Sequence, residues 1–302
     1  MRLVFARIHC LVACVAAVVF TALVHAQSAA PTTQMVRVNG RSMRVSTTGL
    51  DRRLPGEAVV ILEAGAGAGL DEWAPAVPHP ASLAPTIAYD RHGIGQSETD
   101  TERRTIRRVA ATLHELLHAM HVAPPYLLVG HSWGGVLIRG FAELYGPEVA
   151  GLVYIETMDA ETTRQELADA LPDAERKSAF DPPEIPPFPP DLSAGLRAEY
   201  EDIKENMLSD FAEARSLRPV TGVPVSVVIA APPGRLKHPG EVQLRLQIKH
   251  QGDWALNSSN GLLIVSGAVK HDVAEDDPAL VVQAVRHVLN HRPDAAPKQP
   301  GP

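Results

Sequence analysis

Short, mainly apolar runs alternate with stretches of helical spacing along most of this chain. The runs fall at 58–62, 85–90, 126–129, 149–155, 223–230 and 262–265, and they lack the polar alternation of a half-exposed strand. Continuous apolar strands of that length belong to a sheet covered on both faces. Between them, Ile106, Val109, Ala110, Leu113, Leu116, Leu117 and Met120 recur at helical spacing over 105–121. Residues 136–145 read as a helix closed by Gly146-Pro147, and further helices are expected over 241–251 and 278–289. Ahead of all these, Val36-Arg37-Val38 and Ser42-Met43-Arg44-Val45 alternate around Asn39-Gly40, a strong hairpin signal. Strand and helix alternating from 58 to 290 predict an α/β fold built on a mostly parallel, doubly wound sheet.

Three stretches break the pattern. Over 160–218 the charge density rises, and the proline-rich run 181–190 can form neither a helix nor a central strand. Helical pieces at 161–170 and 196–216 flank it, so 160–218 reads as a cap inserted over the sheet, dividing a core of 35–159 and 219–290. At the start, Arg2 and Arg7 precede an apolar run over 8–24 and a small-x-small site ending at Ala26, the pattern of a cleaved signal peptide over 1–26. Export to the periplasm or medium is therefore expected, without stable membrane association once the signal is cleaved. An uncleaved anchor is the rival reading. Residues 27–34 read as a polar linker and 291–302 as a disordered tail.

Composition narrows the function classes. The 302 residues carry a net charge of -7 with no concentrated basic segment, so no nucleic-acid surface is expected. Both cysteines, Cys10 and Cys14, lie in the expected signal, which leaves the mature chain without a disulfide framework. The thirteen histidines show no metal-ligand spacing, and no cofactor or metal is expected.

The candidate chemistry centres on Gly130-His131-Ser132-Trp133-Gly134-Gly135, which fits G-x-S-x-G between an apolar run and a helix. Strand, sharp turn, helix is the context of a nucleophile elbow, in which the serine hydroxyl stands clear of the sheet near a helix N-terminus. The glycine-rich turn 63–69 follows another strand and can aim backbone N–H groups at an anion. No Gly-Lys-Ser/Thr follows, which excludes a phosphate loop. Asp90 and His92 are read as structural, with Asp90 fixing its turn by local hydrogen bonds. Gly65, Ser132, Glu156 and His271 all follow strands directly, so they converge on the carboxyl edge where such sheets bind ligands.

These segments together resemble the α/β-hydrolase superfamily over roughly residues 35–290. The resemblance rests on the 63–69 turn, Tyr89-Asp90-Arg91-His92-Gly93-Ile94-Gly95-Gln96-Ser97, the elbow, and Lys270-His271-Asp272 ahead of Asp277-Pro278. It implies Ser132 as nucleophile, His271 as general base and acid, and the backbone N–H groups of Trp133 and Ala66 as the oxyanion hole. Many relatives carry His-Gly where this chain has Ala64-Gly65. The acid commonly follows the strand ending here at Ala230, yet residues 231–235 contain no carboxylate. A known variation places it after the strand that follows the elbow helix, which points to Glu156, with Asp159 and Glu241 as alternatives. The implied activity is cofactor-free, carboxylesterase-like hydrolysis of a small-molecule ester, amide or thioester. An acyltransferase on the same triad and a non-catalytic small-molecule binding protein of the same fold are the alternatives. Serine at the elbow sets the chain apart from family members that use aspartate there, and Phe188 in the proline-rich run suggests an apolar wall.

Overall fold

The structure, a computed structural model, describes residues 30–78, 80–100, 102–180 and 192–293, with the backbone alone over 177–180. The hairpin forms as expected from β1 (Thr32–Val38) and β2 (Arg41–Thr48), turning at Asn39 and Gly40 with φ of 50° and 79°. β1 begins inside the stretch read as linker, because Thr32, Thr33 and Gln34 join the ladder opposite Thr47, Ser46 and Val45. Backbone pairing at a sheet edge recruits polar residues that an apolar pattern does not reveal.

The next elements are β3 (Val59–Glu63), β4 (Thr86–Tyr89), α1 (Ile106–Ala119), β5 (Tyr126–His131), α2 (Trp133–Tyr145) and β6 (Val149–Ile155). After these come the helices α3 (Arg164–Ala170), α4 (Asp173–Phe180) and α5 (Ala194–Ser216). The chain then returns through β7 (Val225–Ala230), α6 (Gly240–Leu256), β8 (Gly261–Ser266), α7 (Val273–Asp276) and α8 (Pro278–His291). The strands form one sheet in the order β1-β2-β4-β3-β5-β6-β7-β8, with β1/β2 and β2/β4 antiparallel and the other pairs parallel.

Successive strand residues feed opposite faces. Val59, Ile61, Leu128, Val227 and Ile229 join α1, α2 and α6 in one core, while Val60, Leu62, Val129, Val228 and Ala230 pack against Trp73 and α8 in the other. Each fully buried Val, Ile or Leu is worth about 1.5–3 kcal/mol, so the two layers lock the register of the central strands. β8 is the exception among the apolar runs: it lies at the edge, where Leu263 and Val265 are exposed. α6 runs beyond the expected 251 to Leu256, through Gly252, because Ala255 is buried and Trp254 packs on Tyr154 at 4.6 Å. Packing there outweighs the roughly 1 kcal/mol that glycine costs a helix.

A third cluster joins α5 to the core. Ala214 and Leu217 meet Trp133, Val136, Leu137 and Ile106, with Phe211, Met158 and Ala66 packed alongside. The expected signal, the proline-rich run with Phe188, and the tail beyond 293 lie outside the described residues. No helix among the described residues is long and apolar enough to cross a membrane.

α3 opens with a capping box, Thr163 and Glu166 each accepting from the other's backbone N–H. Glu166 also pairs with Lys249 and His250 of α6. The Thr163 N–H, followed by the Lys249 ammonium, pulls the Glu166 carboxyl down to about 2 from its ordinary 4.5. A depressed folded value means that the stabilisation is complete above the ordinary value and is lost as the pH falls towards about 2. The side chain is 29% exposed, and screening reduces the contribution to about 1–2 kcal/mol. In urea unfolding, Glu166→Gln is expected to be less stable than wild type by that amount at neutral pH. The gap should close at the acid end of this window.

Candidate active site

β5 turns into α2 at Ser132, whose φ of 52° and ψ of -118° place it in a region that non-glycine residues rarely adopt. Such strain costs about 1–3 kcal/mol and persists only where surrounding bonds impose it. Here the Ser132 N–H donates to the Ile155 carbonyl at 3.1 Å, and the Ser132 carbonyl accepts from the Gly135 and Met158 N–H groups, both at 3.1 Å. Two glycines allow the crossing. A Cβ at Gly134 would lie 2.3 Å from the Glu63 carbonyl oxygen, and one at Gly130 would lie 2.5 Å from that of Gly134. The Ser132 side chain is thereby presented to a cavity of about 420 Å³ that His271 and Glu156 also line. Among the described residues its hydroxyl forms no hydrogen bond.

The other walls explain what each side chain is free to do. Glu156, with φ of 40°, directly follows β6, and its carboxylate accepts from the Ala230 N–H and pairs with Arg235 at 2.8 Å. Burial pushes its carboxyl up, against the opposing pull of Ala230 and Arg235. Glu156 thus shares the cavity with His271, but no hydrogen bond joins the two among the described residues. Asp159 lines the same cavity, with its oxygens taken up by the Glu161 and Thr162 N–H groups, both at 3.1 Å, and by the Thr162 hydroxyl. Glu241 lies away from the cavity, facing Arg245 on α6. His271 follows β8 in a solvent-reached loop. Partial desolvation, then the neighbouring His131, hold its imidazole below the ordinary value.

The glycine-rich turn is shaped by a buried cation. Arg91 donates to the Glu63 carboxylate and the Ala64 carbonyl, both at 2.8 Å, and to the Gly65 carbonyl at 2.6 Å. A second carboxylate, Glu199 of α5, pairs with the same guanidinium and accepts from the Gly67 N–H at 2.8 Å. Desolvation opposes the Arg91 charge, yet Glu199 and Glu63 outweigh it and raise the group above its ordinary value. Burial pushes the Glu63 carboxyl up despite Arg91 and a hydrogen bond from Tyr89. With the carbonyls of Ala64 and Gly65 turned to Arg91, the N–H of Ala66 stays free of protein acceptors among the described residues. The same holds for the N–H of Trp133 in the first turn of α2, and the two residues pack in one cluster.

The sequence profile for the alpha/beta hydrolase fold matches residues 57–187. An AB hydrolase superfamily protein of Gibberella zeae is 34% identical over 130 residues, 41% of this chain and 39% of that protein. The uncharacterized protein YqjL of Bacillus subtilis is 33% identical over 97 residues, 32% of this chain and 38% of that protein. The matched region therefore spans well under half of either relative. Among solved structures, the epoxide hydrolase CorEH without ligand superposes with a TM-score of 0.59 at 17% identity, over 86% of this chain and 99% of that one. At that identity the likeness is one of fold. The chain has the α/β-hydrolase fold.

Several residues of this α/β-hydrolase-fold site could not be read from its sequence. Asp90 does hold its turn, accepting from the Leu70 and Gln96 N–H groups at 2.8 and 3.0 Å. The adjacent Arg91 lies within the 89–97 motif, but no sequence feature ties it to Glu63 and Glu199, which lie far apart along the chain. Glu199 sits in a highly charged helix, where nothing distinguishes the buried carboxylate from its exposed neighbours. Arg235 occupies the loop after β7, which carries no carboxylate, and meets Glu156 from there. Removing Arg91 strands two buried carboxylates, a loss of about 3–5 kcal/mol. Urea unfolding of Arg91→Met should show it, with a smaller loss for Glu199→Gln, whose amide oxygen can still accept from Gly67.

Proposed function

We propose that this protein is an exported serine hydrolase that cleaves small-molecule esters through an acyl-enzyme on Ser132. One observation carries the reading: a serine in a strained elbow, its hydroxyl unengaged among the described residues, shares a cavity with a histidine of lowered basicity. In the proposed cycle His271 takes the hydroxyl proton as Ser132 Oγ attacks the ester carbonyl carbon. The tetrahedral oxyanion is held by the N–H groups of Ala66 and Trp133. Its collapse breaks the carbon–oxygen bond of the ester, and His271 passes the proton to the departing alcohol. Water, deprotonated by the same imidazole, then releases the acid and restores Ser132.

Glu156 is the carboxylate assigned to favour the His271 imidazolium that forms in each step, with Arg235 fixing its orientation. Asp159 is committed to its own turn, and Glu241 lies elsewhere. Met158, Leu167 and Phe211 give the cavity an apolar side, which suits a modest acyl or alcohol group, while Gln243, Gln247 and Arg235 make the other side polar. A cavity of this size accepts a small ligand and not a long polymer. The proposed signal at 1–26 would deliver the enzyme to the periplasm or medium.

A fluorophosphonate probe tests the reading directly. Labelling of wild type and its loss in Ser132→Ala are expected. Absence of labelling in a folded wild-type protein would instead point to a binding protein. Because His271 must be neutral to accept a proton, kcat/KM on p-nitrophenyl esters should fall as the pH drops through its value. That acid limb should lie below the ordinary histidine value of 6.5.

A further inference from the structure

His131, the variable position of the elbow motif, is buried at the centre of a chain of polar contacts. Its Nε2 lies 2.8 Å from the backbone carbonyl oxygen of His271. Its Nδ1 is in ion-pair contact with the carboxylate of Glu72, whose other oxygen accepts from the Gly65 N–H at 2.8 Å. Space around the ring is tight, since a Cβ at Gly65 would lie 3.3 Å from Nδ1, and Trp73 abuts it edge-on at 6.4 Å.

A carbonyl oxygen and an ionised carboxylate both accept hydrogen bonds and cannot donate them. A neutral imidazole carries one N–H and could serve only one of the two. We propose that His131, paired with Glu72, is a permanent buried imidazolium that positions the His271 loop and holds the His271 ring in its neutral form. The inference rests on the reading of His271 as the base. His131 grips the His271 carbonyl, and its ring stands 4.8 Å from that of His271. A positive charge at that distance disfavours a second one.

The charged groups around both rings agree with this assignment. His131 faces Glu72, Asp272, His271 and, more distantly, Glu156; despite desolvation, its basicity is raised, chiefly by Glu72. His271 faces His131 and Arg235, which lower its basicity, and Asp272 and Glu72, which oppose them. Glu72 thus links three parts of the site: the glycine-rich turn through Gly65, the elbow through His131, and the base loop through His131 and its carbonyl contact. Both residues are positioning residues, because neither lines the cavity.

Two readouts test the proposal. In a Ser132→Ala protein with 15N-labelled histidine rings, nitrogen–proton correlation spectra should contain one ring with both nitrogens protonated at a pH where the exposed histidines are neutral. That ring should disappear in His131→Gln and become singly protonated in Glu72→Gln. In otherwise wild-type enzyme acting on p-nitrophenyl butyrate, Glu72→Gln should lower kcat by roughly tenfold to a hundredfold while KM moves less than about twofold. His131→Gln should shift the acid limb of kcat/KM to higher pH, because the cation beside His271 is gone. A His131 ring that titrates with the exposed histidines overturns the proposal, as does an unmoved acid limb. The spectra decide the protonation of His131 even if the fluorophosphonate fails to label Ser132, so the two readings fail separately.

Discussion

One buried cation, Arg91, sets the geometry on which the site depends. Its guanidinium ties together the end of β3, the glycine-rich turn and helix α5, through Glu63, two carbonyls and Glu199. A buried ion pair is weak evidence for stability, because desolvation consumes most of what the attraction returns. Its value here is directional. By engaging the carbonyls of Ala64 and Gly65, Arg91 orients the peptide planes of the turn; of their opposite edges, the Gly65 N–H goes to Glu72 and the Ala66 N–H has no protein acceptor among the described residues. A flexible run of glycine and alanine becomes a defined set of donors without any side chain of its own.

The elbow solves a related problem with backbone alone. Its strain at Ser132 is held by the end of β6, through bonds to Ile155 and Met158, so candidate nucleophile and candidate acid are anchored to the same strand end. Glu156 has a positive φ of its own at that end. Two strained, buried, polar residues meeting where parallel strands stop is an expensive arrangement, and the apolar layers on either side of the sheet supply the stability that offsets it.

The fold was largely legible because its signals are local. Continuous apolar runs such as 149–155 and the helical spacing of 105–121 need no distant partner to be recognised, and the Asn39-Gly40 turn carries its own conformational signature. Ser132, with its flanking strand and helix, was legible for the same reason. The start of β1 escaped because Thr32 to Gln34 owe their conformation to a neighbouring strand, and the end of α6 escaped because Trp254 owes its position to Tyr154. The electrostatic framework was the least readable part. Arg91 with Glu199, Glu156 with Arg235, and His131 with Glu72 are pairings across long stretches of chain, and charge type alone does not say which residues will meet.

Helix α5 reaches the glycine-rich turn twice, through Glu199 on the Gly67 N–H and through the Tyr200 hydroxyl on the Ala66 carbonyl at 3.4 Å. Adjacent residues of one helix therefore hold the Ala66–Gly67 peptide group, which follows directly on the one whose N–H is assigned to the oxyanion. Lifting that helix would remove one of the two counter-charges of Arg91 and release the turn in the same movement. Helix α5 and the glycine-rich turn are thus one mechanical unit, in which neither keeps its geometry without the other.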